Sequence, residues 1–534
     1  MRELLSMVQI SNMFRGGWRQ RRLGWLAGLV VGLGILPALG GGRPAIAAER
    51  ITLYFGPLQF SLSVDALETF AQDGTVTREF ALYANRLNPK TLSQLREILQ
   101  QRVDEGPAIV AQFAYATMGE ALLQRLGNLI QTRSGLNGFY AIRSALILAA
   151  ADDSEGLSVL NVIRHFPGSD IRVNTASLFQ LTEELALLSD YRQAVIDAIA
   201  QQAESEATAD LTAGLPANFA QLPDLQQPGA YGVLKKELTF QIQSHPVLAT
   251  DTSDPLHLNL YLPQGVAQPA PLVVLTHPLG GSRHGFSYLG EHLASHGIAL
   301  AIPEHVGSNG SRLKAFMQGE TLNLIEATEY LRRTHEISAL LDELEHLATL
   351  NPALGNQLDL QRVGIIGSSF GGTTALSLVG ADINRARLQQ NCVTADLTLN
   401  LSILLQCRAH DLPPIELDLQ DTRIQAAIAM FPPASTIFGP ESMANIDIPL
   451  MLVAASQDVL APTVEEQIHP FAWLTSPDKY LAVMDPANHY VIDSVGSENR
   501  APAFLKATRP DPRIGRGYIQ ALSGAHLSVV GEVF

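Results

Sequence analysis

Val363-Gly364-Ile365-Ile366-Gly367-Ser368-Ser369-Phe370-Gly371-Gly372-Thr373-Thr374-Ala375-Leu376 is the stretch that decides how this chain folds. Its first four residues have the unbroken apolar character of a short buried strand. Gly371 to Leu376 reads as the start of a helix packed close to that strand. Between them, Gly367-Ser368-Ser369-Phe370-Gly371 fits the pattern G-x-S-x-G. A sharp strand-to-helix turn of this kind lifts its middle residue, Ser369, above the end of a sheet. It needs small residues on both sides, because the turn is strained and the two elements nearly touch. The bare pattern also suits a Gly-Ser loop without chemistry, and the strand before and helix after set this one apart.

Working outward, the flanking sequence has a strand–helix–strand rhythm. Strands are expected at Leu234–Gln241, His257–Leu262, Leu272–Thr276, Ala299–Pro303, Val363–Gly367, Ala426–Met430, Leu450–Ala455 and Lys479–Met484. Helical stretches fall between them at Ser287–Gly297, Leu322–Leu350 and Gly371–Gly380. Antiparallel-looking strands followed by strands alternating with helices predict a mixed, mostly parallel sheet flanked by helices over residues 232–534. An insertion at 381–423 interrupts the alternation after the Ser369 helix and is a candidate lid. Upstream, residues 48–203 read as a mainly α-helical domain, with strand-like runs at 50–55 and 60–63. Helical patterning follows at Val64–Ala71, Ile109–Leu126, Gly138–Ala151, Gly156–Phe166 and Ser177–Gln202. From 204 to 231 the pattern stops and Pro216, Pro223 and Pro228 appear, predicting a linker.

The chain has 534 residues, of which 46% are hydrophobic and 16% charged, so large cores and more than one domain are expected. A formal net charge of −16 disfavours nucleic acid as a partner, which needs a basic surface. Neither C-x-x-C nor H-E-x-x-H occurs, and no metal or organic cofactor is implied. Arg15, Arg19, Arg21 and Arg22, the apolar run Leu23–Leu36, Pro37 and the small-x-small site Ala45-Ile46-Ala47 read as an export signal over 1–47. Left uncleaved, the same segment would be an N-terminal membrane anchor. The expected location is periplasmic or extracellular. In an oxidising compartment the two cysteines, Cys392 and Cys407, are expected to form a disulfide.

A serine hydroxyl attacks poorly until a base takes its proton, and a His held by a carboxylate is the usual base. For a serine on such an elbow, the acid and then the His follow it in the chain. Asp458 lies just past the strand Leu450–Ala455, and His489 lies on a loop just past Lys479–Met484. Both positions are at the carboxyl ends of parallel strands, where open sheets bind ligands. Asp485 is the rival acid and His469 the rival base. The negative oxygen formed on attack needs two N–H donors. Phe370, the residue after the serine, supplies one. The other comes from His277-Pro278-Leu279-Gly280-Gly281: Pro278 has no N–H, so Leu279 is expected first and Gly280 second.

Together these residues resemble the α/β-hydrolase superfamily. Within it they are most similar to platelet-activating-factor acetylhydrolases and dienelactone-hydrolase-like proteins. His277-Pro278-Leu279-Gly280-Gly281 stands where those proteins have a His-Gly-Leu-Gly-like loop, and Gly367-Ser368-Ser369-Phe370-Gly371-Gly372 where they have Gly-His-Ser-Phe-Gly-Gly. Leu293–Leu300 and Ala301-Ile302-Pro303-Glu304-His305 continue the likeness, which covers roughly 230–500. Pro278 and Ser368 depart from the pattern. The resemblance implies an α/β-hydrolase fold and a hydrolase of carboxylic esters, with a small-molecule or lipid ester as substrate. The N-terminal part resembles a domain of unknown function fused to such hydrolases. An acyltransferase on the same three residues, and a binding protein that keeps the fold without activity, are the other readings.

Overall fold

A computed structural model describes residues 47–55, 58–103, 105–186, 190–213, 223–242, 255–393, 398–414, 418–492 and 511–530. The expected leader up to Ile46 lies outside the described residues, as do parts of the linker (214–222) and of the insertion (394–397 and 415–417). Among the described residues no helix is long and apolar enough to cross a membrane.

The sheet that carries the elbow has eight strands: β1 (Gly232–Phe240), β2 (Leu256–Gln264), β3 (Ala270–Thr276), β4 (Ala299–Pro303), β5 (Leu358–Ser368), β6 (Ile424–Met430), β7 (Leu450–Ala455) and β8 (Lys479–Met484). Their order across the sheet is β8-β7-β6-β5-β3-β4-β2-β1. The β1–β2 and β2–β4 pairs are antiparallel, and the others are parallel. Each strand overlaps one expected from sequence. Order reverses around β3 and β5, which sit side by side at the centre, so their carboxyl ends open a crevice at a switch point.

The centre is dry because alternate residues face two separate cores. On β3, Leu272 and Val274 face α3 (Glu329–Leu350), with Ile337, Leu340, Leu341 and Leu344 opposite; all six are 1% exposed or less. Val273 and Leu275 face α1 (Ser287–Ser295) and the C-terminal helix Pro512–Val530, against Leu289, Leu293, Ile519 and Leu527. Burying each such leucine is worth about 1.5–3 kcal/mol, which fixes the strand ends where the site is built.

Residues 48–213 form the helical region, and it also holds a four-stranded sheet in the order 58–63, 50–55, 170–173, 130–132. The helix Val64–Asp73 stops at Gly74, whose φ of 80° is left-handed. The expected helix 109–126 is two, Pro107–Tyr115 and Thr117–Leu129, broken at Ala116 (ψ 151°). The stretch after Ser177 is also two, Thr175–Ala186 and Arg192–Thr212. The second runs past Glu204, where the linker was expected to begin. Its Ala, Glu and Gln residues favour helix without needing an apolar face.

The insertion 381–423 is seated in the core on the α3 side through Leu388, Leu405, Ala409 and Leu412. Cys392 and Cys407 are disulfide-bonded, with Cα atoms 5.4 Å apart. The helical region contacts the region of the eight-stranded sheet through Gln112 Nε2, which donates to Thr321 O (2.6 Å), and Thr117 Oγ1, which donates to Asn323 Oδ1 (2.8 Å).

Candidate active site

Ser369 follows β5 directly and caps α4 (Phe370–Leu378) with φ 55° and ψ −119°, a conformation that non-glycine residues rarely take. Two glycines make room for it. A Cβ on Gly367 would lie 2.1 Å from Gly371 O, and one on Gly371 would lie 2.1 Å from Thr276 O. The Ser369 N–H donates to Met430 O (2.8 Å), which ties the turn to β6. A second left-handed residue, Phe431 (φ 53°), sits beside it at the end of β6, with its ring centroid 6.0 Å from that of His489.

Ser369, His489 and Asp458 meet across 120 residues of sequence. His489 Nε2 lies 2.8 Å from Ser369 Oγ, and His489 Nδ1 lies 2.6 Å from Asp458 Oδ2. An ionised carboxylate only accepts, so Nδ1 carries the proton. Nε2 is then left to accept from the serine hydroxyl. Asp458 is 2% exposed and fully engaged. Its Oδ1 accepts the N–H groups of Leu460 (2.9 Å) and Ala461 (3.0 Å), and its Oδ2 also accepts from Gln467 Nε2 (2.9 Å). Gln467 is held in turn by Ala455 N–H (2.9 Å) and Ala461 O (2.6 Å), from a π turn at Thr463–Ile468.

The rivals are placed elsewhere. Asp485 Oδ1 accepts from Ser456 Oγ (2.5 Å) and so braces the loop before His489. His469 opens the helix His469–Trp473, half-buried beside Trp473, with ring centroids 6.4 Å apart.

The loop after β3 is a tight turn. Gly281 N–H donates to Pro278 O (2.9 Å), and Gly280 has φ 72°, as the third residue of a type II turn requires. Gly280 N–H donates to Ser308 O (2.8 Å), so the second-choice oxyanion donor is already committed. Leu279 N–H makes no backbone hydrogen bond among the described residues, and Phe370 N–H is an orphan of the first turn of α4.

Behind this loop lies a buried polar group that the sequence reading did not single out. Arg333, Glu329, Glu336, His305, His277 and Ser308 are each 7% exposed or less. Burial, with the Arg333 charge second, holds both His277 and His305 well below the usual histidine range. Burial, with the Glu336 charge second, pushes Glu329 up to about 7, and burial brings Arg333 down to about 10. In sequence Glu329, Arg333 and Glu336 resemble the solvated face of a charged helix, and only the packing reveals them as interior.

Residues 47–174 match the family described as alpha/beta hydrolase of unknown function (DUF1400). Residues 233–336 match platelet-activating factor acetylhydrolase, isoform II, a stretch that includes the His277–Gly281 loop and ends before the elbow. Platelet-activating factor acetylhydrolase from Cavia porcellus is 29% identical over 140 residues, covering 21% of this chain and 32% of that protein. The chain thus spans about a third of the length of that relative. Sheet, elbow and matches agree: the chain resembles the α/β-hydrolase superfamily, has its fold, and is similar to proteins whose family supports a hydrolase acting on esters.

Proposed function

We propose that this protein is an exported serine hydrolase that cleaves carboxylic esters through an acyl-enzyme, with lipid or other apolar acyl esters as substrates. The observation that carries the reading is the pair of short contacts, Ser369 Oγ to His489 Nε2 (2.8 Å) and His489 Nδ1 to Asp458 Oδ2 (2.6 Å). In the proposed reaction His489 takes the Ser369 proton as Oγ attacks the acyl carbonyl. Asp458 keeps the imidazole in the right tautomer and stabilises its charged form. The N–H groups of Leu279 and Phe370 receive the oxyanion. The C–O bond to the alcohol then breaks and His489 returns the proton to that oxygen. Water, deprotonated by His489, attacks the acyl-serine by the same route and frees the acid.

Three apolar side chains on the loop after β3 and at the elbow bear on the acyl group: Leu279, Phe286 and Phe370. Phe286 and Phe370 are 3% and 1% exposed and belong to the cores on opposite faces of the sheet, while Leu279 is half-buried at the loop. Support for the substrate class therefore comes from Leu279 and from the relative named as an acetylhydrolase.

Turnover of p-nitrophenyl esters of graded chain length tests the reading. Ser369→Ala and His489→Ala should each lower kcat by about 10⁴ or more while the fold persists. A folded Ser369→Ala variant with full activity would end it, and a preference for charged acyl groups would remove the substrate class. Export is checked on the full chain: a mature N-terminus at Ala48, or an intact chain in the membrane fraction, agrees, and an intact cytoplasmic chain disagrees.

A further inference from the structure

Arg333 is 0% exposed, on the first turns of α3 beneath the end of β3. Removing a guanidinium from water is costly, and an apolar side chain of similar volume would fill the space without that cost. What the charge adds is a set of donors in fixed directions. Nη1 donates to His277 O (2.7 Å) and Nε donates to Ser308 Oγ (2.9 Å). Ser308 Oγ in turn donates a hydrogen bond to Glu329 Oε1 (2.5 Å), and that oxygen lies 3.7 Å from Arg333 Nε. Ser308 O accepts Gly280 N–H (2.8 Å). The two ends of the segment that flanks Leu279, the His277 carbonyl and the Gly280 amide, are thus tied to one side chain, directly and through Ser308.

The same guanidinium reaches the other donor. Its carbon lies 4.5 Å from the centroid of the Phe370 ring, within cation–π range. Tyr330 packs edge-on to that ring at 4.9 Å. The elbow also abuts the loop itself, because a Cβ on Gly371 would lie 3.0 Å from His277 O. The His277 ring completes the frame, with Nδ1 donating to Pro278 O (2.9 Å) and Nε2 accepting from His305 N–H (3.1 Å).

We propose that Arg333 is the positioning residue of the oxyanion hole, one buried cation that sets the Leu279 and Phe370 N–H groups relative to each other. The proposal rests on the reading of those two groups as the oxyanion donors. Such donors act only when aimed at the place where the oxyanion forms, and a shift of about 1 Å costs on the order of 10² in rate. Arg333 itself need not touch substrate.

The test compares full-length wild type with Arg333→Met, Arg333→Lys and Ser308→Ala. It measures kcat and KM on a p-nitrophenyl ester, the acid limb of the pH profile, and Ki for a trifluoromethyl ketone, whose adduct carries the oxyanion. Folded Arg333→Met should lose about 10² in kcat, with KM nearly unchanged and Ki weakened by the same factor. The acid limb should stay in place, because His489 and Asp458 are untouched. Arg333→Lys keeps the charge without the fork and should fall between wild type and Arg333→Met. Ser308→Ala removes the Oγ that joins Arg333 and Glu329 to this residue while keeping the backbone bond from Gly280 N–H to Ser308 O, and it should lose about tenfold in the same pattern. A folded Arg333→Met variant with kcat and Ki within about twofold of wild type would overturn the proposal, as would a loss confined to KM. If neither Arg333 variant folds, Ser308→Ala decides by the same criteria. A wild type that turns over no ester fails the hydrolase reading first and takes this inference with it.

Discussion

Gly371 shows how narrowly the site is specified at the scale of one residue. A methyl group there would enter the Thr276 carbonyl, 2.1 Å away, so the elbow and the end of β3 must move apart. Gly371→Ala is expected to lower stability by about 2–3 kcal/mol and to cut ester turnover by on the order of 10². Thermal melts and kcat on a common ester read both effects, and an unchanged kcat would contradict the account. Gln467 is the second sensitive position, since its amide shares Asp458 Oδ2 with His489. Gln467→Leu should lower kcat by about tenfold, as the carboxylate loses a fixed partner. Kinetics on a common ester measure this, and a folded variant with unchanged kcat would contradict the account. Ser369, His489 and Asp458 were legible because pattern and chain order name them. Gln467 and Arg333 were not, because a lone Gln or Arg in a helical run carries no mark of what it will face.

At the scale of elements, the central strands were legible as compact apolar runs bounded by turn residues, and β1 and β2 by their alternation of apolar and polar residues. The N-terminal strands Ile130–Thr132 and Asp170–Val173 are too short for alternation to show. A one-residue break such as Ala116 leaves the apolar spacing on either side intact and is invisible to periodicity. The insertion shows how elements are coupled. Gln406 Oε1 accepts the N–H groups of Thr436 (2.7 Å) and Ile437 (3.0 Å), and its Nε2 donates to Glu466 Oε1 (3.0 Å). Glu466 also takes the N–H groups of Ala434 (2.8 Å) and Ser435 (2.9 Å), and its neighbour Gln467 holds Asp458. One π turn therefore joins the insertion to the candidate acid, in keeping with the frequent use of such turns at functional sites. The disulfide next to Gln406 closes a loop with a sequence separation of 15. Its removal in a Cys392→Ala/Cys407→Ala variant should cost about 3 kcal/mol by the chain-entropy argument. Chemical denaturation measures this, and an unaltered midpoint would contradict it.

The molecule as a whole is acidic and carries several histidines inside. His526, on the C-terminal helix, is 4% exposed, and burial brings it from the usual 6.5 down to about 4. The unfolded chain therefore binds the extra proton between pH 6.5 and about 4, and stability falls as pH drops through that window. The contribution is at most on the order of 3 kcal/mol. Glu329, pushed up to about 7, acts in the opposite direction, so the difference between two proteins is the clean observable. His526→Gln should lose less melting temperature than wild type when pH is lowered from neutral to the acid end of that window, and parallel losses would contradict this. The central claim is that Ser369 is an activated nucleophile, and a fluorophosphonate probe tests it most directly. Peptide mapping after labelling should find one adduct, on Ser369, in wild type and almost none in His489→Ala. Absence of label in the folded wild type, or an adduct on another residue, would contradict the account.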